Sequence, residues 1–146
     1  MAESETFTIS IKKTGPVQFT TTFDKEHYPQ LLFDEPPEFG GEEKYPDASR
    51  VLTAAVASCL SATFTMCLDR ARIPVESMET LAKCTITKNE EGYLRITQID
   101  VILLPIWNLD ISIKKKSRCA KIFKNYCIAT NAVTNGVPIT VDVQVD

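Results

Sequence analysis

VLTAAVASCLSATFTMCL, residues Val51 to Leu68, runs for 18 positions without a charged side chain. Asp47 stands just before it, where a carboxylate can accept the free N–H groups of a first helical turn, and Pro74 follows it, where a helix does not continue. The stretch predicts a helix over residues 48–73. Its apolar residues are not confined to one stripe, so such a helix must be covered on every side. Eighteen residues is also the lower edge of a membrane span. Five hydroxyls, on Thr53, Ser58, Ser61, Thr63 and Thr65, and the close flanks Arg50 and Asp69 favour a buried helix and no membrane. A chain this short has little else to wrap around it, which predicts a second copy as cover.

Outward from this helix the periodicity changes. Phe7, Ile9 and Ile11 alternate on one side of Thr14-Gly15-Pro16, and Val17, Phe19, Thr21 and Phe23 on the other, which predicts a hairpin. Residues 27–46 are rich in Pro, Gly and acid and read as an irregular connection. Residues 80–88 and 92–104 predict a second strand pair across Asn89-Glu90-Glu91-Gly92, with Trp107 and Asn108 in the turn after it. Ile113, Ala120, Ile122, Phe123 and Tyr126 then recur at helical spacing, and a short helical segment spans Ile128 to Thr134. Val137, Ile139, Val141, Val143 and Val145 alternate with polar residues and Pro138, which predicts a closing strand. The order ββ-α-ββ-α-α-β is α+β. With 146 residues and 44% apolar content, one core and a single domain over 1–146 are expected.

Composition narrows the function. The net charge is −3 and the basic residues are dispersed apart from Lys114, Lys115 and Lys116, so no nucleic-acid surface is expected and that run reads as a solvated helix face. The acidic start Met-Ala-Glu-Ser-Glu lacks the pattern of a secretory signal, and a cytoplasmic location follows. Five cysteines, at 59, 67, 84, 119 and 127, contain no CxxC pair and are joined by one histidine, His27. No metal, no cofactor and no disulfide scaffold are expected, and reduced thiols with one redox pair fit better.

Cys59 in the apolar helix and Cys127 at the head of the short helical segment are the candidate pair. Cys67, Cys84 and Cys119 read as core residues and His27 as a surface one. A buried thiol is mostly protonated at neutral pH, so Cys59 needs a cation or donor. Arg50 is the nearest cation in sequence. Cys127 benefits from a helix N-terminus.

Leu52-Thr-Ala-Ala-Val-Ala-Ser-Cys59-Leu-Ser-Ala-Thr63 resembles the LLxAAxASCxxxT helix of the OsmC/Ohr family, the osmotically induced and organic-hydroperoxide-resistance proteins. Cys127-Ile-Ala-Thr-Asn-Ala-Val133 resembles the family's CPVSxAL motif, and Phe39-Gly40-Gly41 its LGG loop. The resemblance implies an OsmC-like fold, with β-sheets wrapped around long central helices in an intertwined homodimer. It also implies a peroxidatic Cys59, a resolving Cys127, a small organic hydroperoxide as substrate and a dithiol as reductant. Peroxide-reducing members carry an arginine in the N-terminal strands and a glutamate nine or ten residues before the first cysteine. Here no arginine precedes Arg50, and Ser49 and Arg50 stand at the acidic positions. Glu42, Glu43 or Asp47 are the carboxylates that could replace the missing one. The alternative is an OsmC-like protein that binds a ligand or senses redox state.

Overall fold

The computed structural model describes residues 4–107 and 112–145. It is a mixed α+β structure whose chain divides into two compact units, residues 1–52 and 53–146.

In the first unit β1 (Ser10–Lys13), β2 (Phe19–Thr22) and β3 (Leu31–Phe33) form an antiparallel sheet in that order. The predicted hairpin is present and shorter than the alternation suggested. β3 corrects the reading of residues 27–46 as wholly irregular. Three residues between prolines carry too little period to be seen, and Thr21 opposite Leu31 is what makes them a strand. Beyond β3 the chain is organised by Asp34, which is buried. Its carboxylate accepts the N–H groups of Glu35 (2.8 Å), Lys44 (3.0 Å) and Glu42 (3.3 Å) and the Gln18 amide (3.0 Å). Burial pushes this carboxyl up, but the four donors outweigh it and hold it below the usual carboxylate value. Gly41 lies inside that loop, and a Cβ there would collide with the Glu35 carbonyl.

α1 (Ala48–Arg70) is capped as expected, with Asp47 Oδ1 accepting the Arg50 N–H at 3.0 Å. It ends three residues before the predicted Ile73. Arg72 adopts a left-handed φ of 58°, its N–H bonds to Asp69 O, and the Ile73 N–H bonds back to Leu68 O. This closure brings Ile73 onto Leu68 in the core and stops the helix before Pro74 can.

The second unit is built on a long hairpin, β4 (Val75–Lys88) and β5 (Leu94–Trp107), paired from Val75 opposite Trp107 to Lys88 opposite Leu94. Asn89 shapes its turn by accepting the N–H groups of Glu91 and Tyr93. Both strands are longer than predicted. Trp107 ends β5 and is not in a turn, and Asn108 lies outside the described residues. One hairpin face packs inward, with Val101 and Ile99 against Val56 and Leu60, and Leu103 and Trp107 against Phe64 and Leu68. The other leaves Leu81, Ile102, Leu104 and Ile106 exposed.

α2 (Ile113–Ile122) follows, then a 3-10 turn (Phe123–Tyr126) and α3 (Ile128–Asn135). The closing strand predicted over Val137–Val145 forms no ladder among the described residues, and its five apolar side chains are 61–87% exposed. Alternation records which face a strand would bury. Pairing needs a neighbouring strand, and none among the described residues supplies it.

By length and composition α1 would pass for a membrane span, with mean hydropathy 1.8. Its Thr53, Val56, Leu60, Thr63, Phe64 and Leu68 are buried instead. Ala55, Ser58, Ala62 and Thr65 form an exposed, uncharged stripe on the opposite side.

Candidate thiol site

Two helices bring the candidate cysteines together. α1 presents Cys59 half-buried, and the 3-10 turn delivers Cys127, fully buried, as the N-cap of α3. Their sulfurs are hydrogen-bonded, and both thiols are free. Val56 and Leu60 pack on Cys127 from the α1 side, while Ile99, Val101, Phe123 and Ala129 close the cluster. Phe64 belongs to the neighbouring cluster around Leu68 and Cys119.

The head of α3 is shaped to meet a sulfur. The Thr130 N–H donates to Cys127 Sγ at 3.4 Å, and the Thr130 hydroxyl lies 3.0 Å from the same atom. Asn131 locks the entry by donating to Cys127 O at 2.8 Å and to Asn125 O at 3.3 Å. The N–H groups of Ala129 and Ile128 are free for another acceptor at a helix start, and they reach Cys59.

The two thiols are thereby pushed apart. Burial raises Cys59, but the Cys127 S–H, the Ala129 N–H, the Thr63 hydroxyl and the Ile128 N–H all favour its thiolate, and the balance holds it below the ordinary thiol value. Burial and the Cys59 sulfur push Cys127 up, against the two donors of Thr130. Cys59 is thus the more acidic thiol of the pair, and Cys127 is the one that holds its proton more tightly. The sequence reading expected the helix N-terminus to serve Cys127; the Thr130 N–H does so, and two further N–H groups serve Cys59.

Arg50 is held elsewhere. Its guanidinium donates to Asp47 Oδ2 at 2.9 Å, and its side chain is 67% exposed. Asp47 accepts from the Ser49 hydroxyl as well. Of the other carboxylates considered as substitutes, Glu42 pairs with Lys44.

Sequence reasoning missed Thr63 and Thr130. Thr63 lies four residues after Cys59, one turn on, and its hydroxyl also donates to Cys59 O at 2.6 Å. Thr130 lies three residues after Cys127, the spacing of an N-cap and its N3 partner, so both were findable by spacing. Beside the pair, a cavity of about 370 Å³ is lined by Val56, Ile96, Ile99, Thr130, Val133 and Thr134 among others. Among the described residues no cluster of His, Cys, Asp and Glu is arranged to hold a metal ion.

The model of OsmC-like proteins matches residues 41–142, more than half of the chain. The chain belongs to the OsmC-like family. Its fold is similar to an OsmC-like protein of unknown function from Vibrio cholerae, at 15% identity and TM-score 0.72, covering 88% of this chain and 94% of that one. It is also similar to an organic hydroperoxide resistance protein from Elizabethkingia anophelis, with thiocyanate bound, at 18% identity and TM-score 0.66, covering 91% of both chains. A third is an organic hydroperoxide resistance protein OsmC from Legionella pneumophila, at 16% identity and TM-score 0.64, covering 88% of this chain and 89% of that one. No curated protein matches the sequence.

Proposed function

We propose that this OsmC-like protein is a thiol-dependent peroxidase that reduces small organic hydroperoxides through Cys59 and Cys127. The observation that carries the reading is a half-buried thiol held below its ordinary pKa, with a second, protonated thiol hydrogen-bonded to it. The Cys59 thiolate attacks the distal peroxide oxygen, the O–O bond breaks, and the departing alkoxide takes a proton to leave as the alcohol. Cys59 is then a sulfenic acid. The Cys127 sulfur attacks it, water leaves, and a Cys59–Cys127 disulfide remains until a dithiol reduces it. Neither metal nor organic cofactor is required. The Elizabethkingia and Legionella proteins of similar fold are named as organic hydroperoxide resistance proteins, which supports the substrate class. So do the apolar side chains that line the adjacent cavity. Five free thiols suit a reducing cytoplasm.

Peroxide consumption with a dithiol present tests this. Wild type turns over, Cys59→Ser is inactive, and Cys127→Ser consumes one equivalent and stops at the sulfenic acid. A folded wild type that consumes no organic hydroperoxide removes the proposal. The second reading, a ligand-binding or redox-sensing protein, draws on one observation: the only arginine near the first motif is occupied by Asp47.

The functional unit we propose is an intertwined homodimer. The exposed uncharged stripe of α1, the exposed apolar face of the β4–β5 hairpin and the unpaired alternating segment Val137–Val145 are surfaces that a second copy would cover. Light scattering giving twice 16.3 kDa is the expected result, and a stable monomer at micromolar protein would reject it.

A further inference from the structure

A second cavity, of about 570 Å³, lies between the last turns of α1 and the body of α2. That is within the size range of small-molecule sites. Its rim carries Arg70 from α1 and Lys115 and Arg118 from α2, and among the described residues no Asp or Glu lines it. In a chain of net charge −3 this is a concentrated positive field. The ion pairs among the described residues are Lys44–Glu42 and Arg50–Asp47, so none of the three rim cations has the carboxylate of a described residue within 4.0 Å.

Helix-dipole compensation explains one of the three cations. Arg70 sits at the C-terminal end of α1, where a cation offsets the helix dipole. Lys115 and Arg118 have no such role, because they occupy the first and middle turns of α2, where the dipole disfavours or ignores a positive charge. They also share one stripe of α2 with Cys119 and Ile122, the stripe that lines the cavity.

The interior is apolar. Met66, Ile122 and Tyr126 wall it, and Met66 supplies an adaptable thioether. Cys67 and the buried Cys119 lie on its inner side. Burial, the hydrogen bond with Cys67 and the like charge that Cys67 would carry push Cys119 up to about 11, against the pull of Arg118. At neutral pH Cys119 therefore puts no negative charge against an incoming anion. Thr63 lines this cavity too, so it shares a wall with the thiol site.

We propose that the α1–α2 cavity is a binding site for an amphipathic monoanion, a medium-chain alkyl carboxylate, with its head on Arg70, Lys115 and Arg118 and its chain against Met66, Ile122 and Tyr126. Three unpartnered cations around an apolar hollow match that one chemistry and reject its cationic and zwitterionic counterparts. The site does not rest on the redox chemistry of Cys59.

Calorimetric titration of the full chain with decanoate, below the concentration at which it forms micelles, tests the assignment. The expected result is saturable one-to-one binding, with decyltrimethylammonium, which has the same tail and the opposite charge, failing to bind. The double variant Lys115→Gln/Arg118→Gln changes only exposed side chains and should weaken decanoate by at least about tenfold. Bound decanoate should also slow maleimide modification of Cys67 in the wild type. Absence of binding at millimolar decanoate, equal binding of the ammonium probe, unchanged affinity in the double variant, or an unprotected Cys67 would each overturn the proposal.

Discussion

Cys59 with Cys127, and Cys67 with Cys119, are two thiol pairs built on one plan. Each joins a cysteine of α1 to a cysteine of the C-terminal helical segments, and each pair is in hydrogen-bonding contact. Even the spacing is shared, since eight residues separate 59 from 67 and eight separate 119 from 127, with the order reversed. Their chemistry is opposite. Cys59 receives donors from the open head of α3 and from Thr63, and is held below its ordinary value. Cys119 lies within a continuous helix whose N–H groups are already spent on its own carbonyls, and it is pushed up to about 11. Proximity of two sulfurs does not by itself set their acidity. Free backbone donors at one of them do.

The largest difference should appear in oxidation order. A thiol near 11 is about one part in ten thousand thiolate at neutral pH, so Cys119 offers almost no nucleophile. Under mild peroxide, peptide mapping should recover the 59–127 linkage on the order of a hundredfold ahead of any 67–119 linkage. A 67–119 disulfide that forms first would show that sulfur contact, not donor supply, governs reactivity in this protein. Alkylation at rising pH gives an independent reading, with Cys59 modified at the lowest pH and Cys119 at the highest.

A smaller effect should follow from removing one donor. Thr63→Val keeps the shape and deletes the hydroxyl shared between the Cys59 carbonyl and sulfur. One hydrogen bond to a charged acceptor contributes on the order of 1 kcal/mol, which predicts roughly a fivefold slower alkylation of Cys59 at neutral pH. Cys119 should be unaffected. A Cys59 rate that does not change would leave the head of α3 as the whole source of activation.

Much of α1, the β4–β5 hairpin and α3 was legible in the sequence. Asp47 marked the start of α1, Asn89 and Gly92 the β4–β5 turn, and Cys127 the head of α3, because caps and turns are local events. The two-cysteine framework was visible as a motif. What escaped depended on partners distant in sequence. β3 is a strand only because β2 lies beside it, and Val137–Val145 has the pattern of a strand without a partner among the described residues. The donors to Cys59 were missed for the same reason. Ala129 and Ile128 act through backbone N–H groups, which every residue possesses, so their identity carries no signal. Arg50 stands out in the sequence because a charge is the one activating feature that side-chain identity displays.

The smallest effect should come from Arg50 itself. Its guanidinium is committed to Asp47 at 2.9 Å and stands largely in solvent, where water and salt screen its field. Arg50→Ala removes that ion pair and leaves the backbone N–H that Asp47 caps, so the helix start survives. The expected cost is about 0.5 kcal/mol in denaturant unfolding, in the range of exposed pairs and smaller at high salt. The alkylation rate of Cys59 should change by less than about twofold, since its thiolate is favoured by Cys127, Ala129, Thr63 and Ile128. A tenfold drop in that rate, at unchanged fold, would instead make Arg50 the cation that replaces the missing N-terminal arginine. The contrast between the two thiol pairs would then rest on charge as well as on donors, and Asp47 would become the group that positions it.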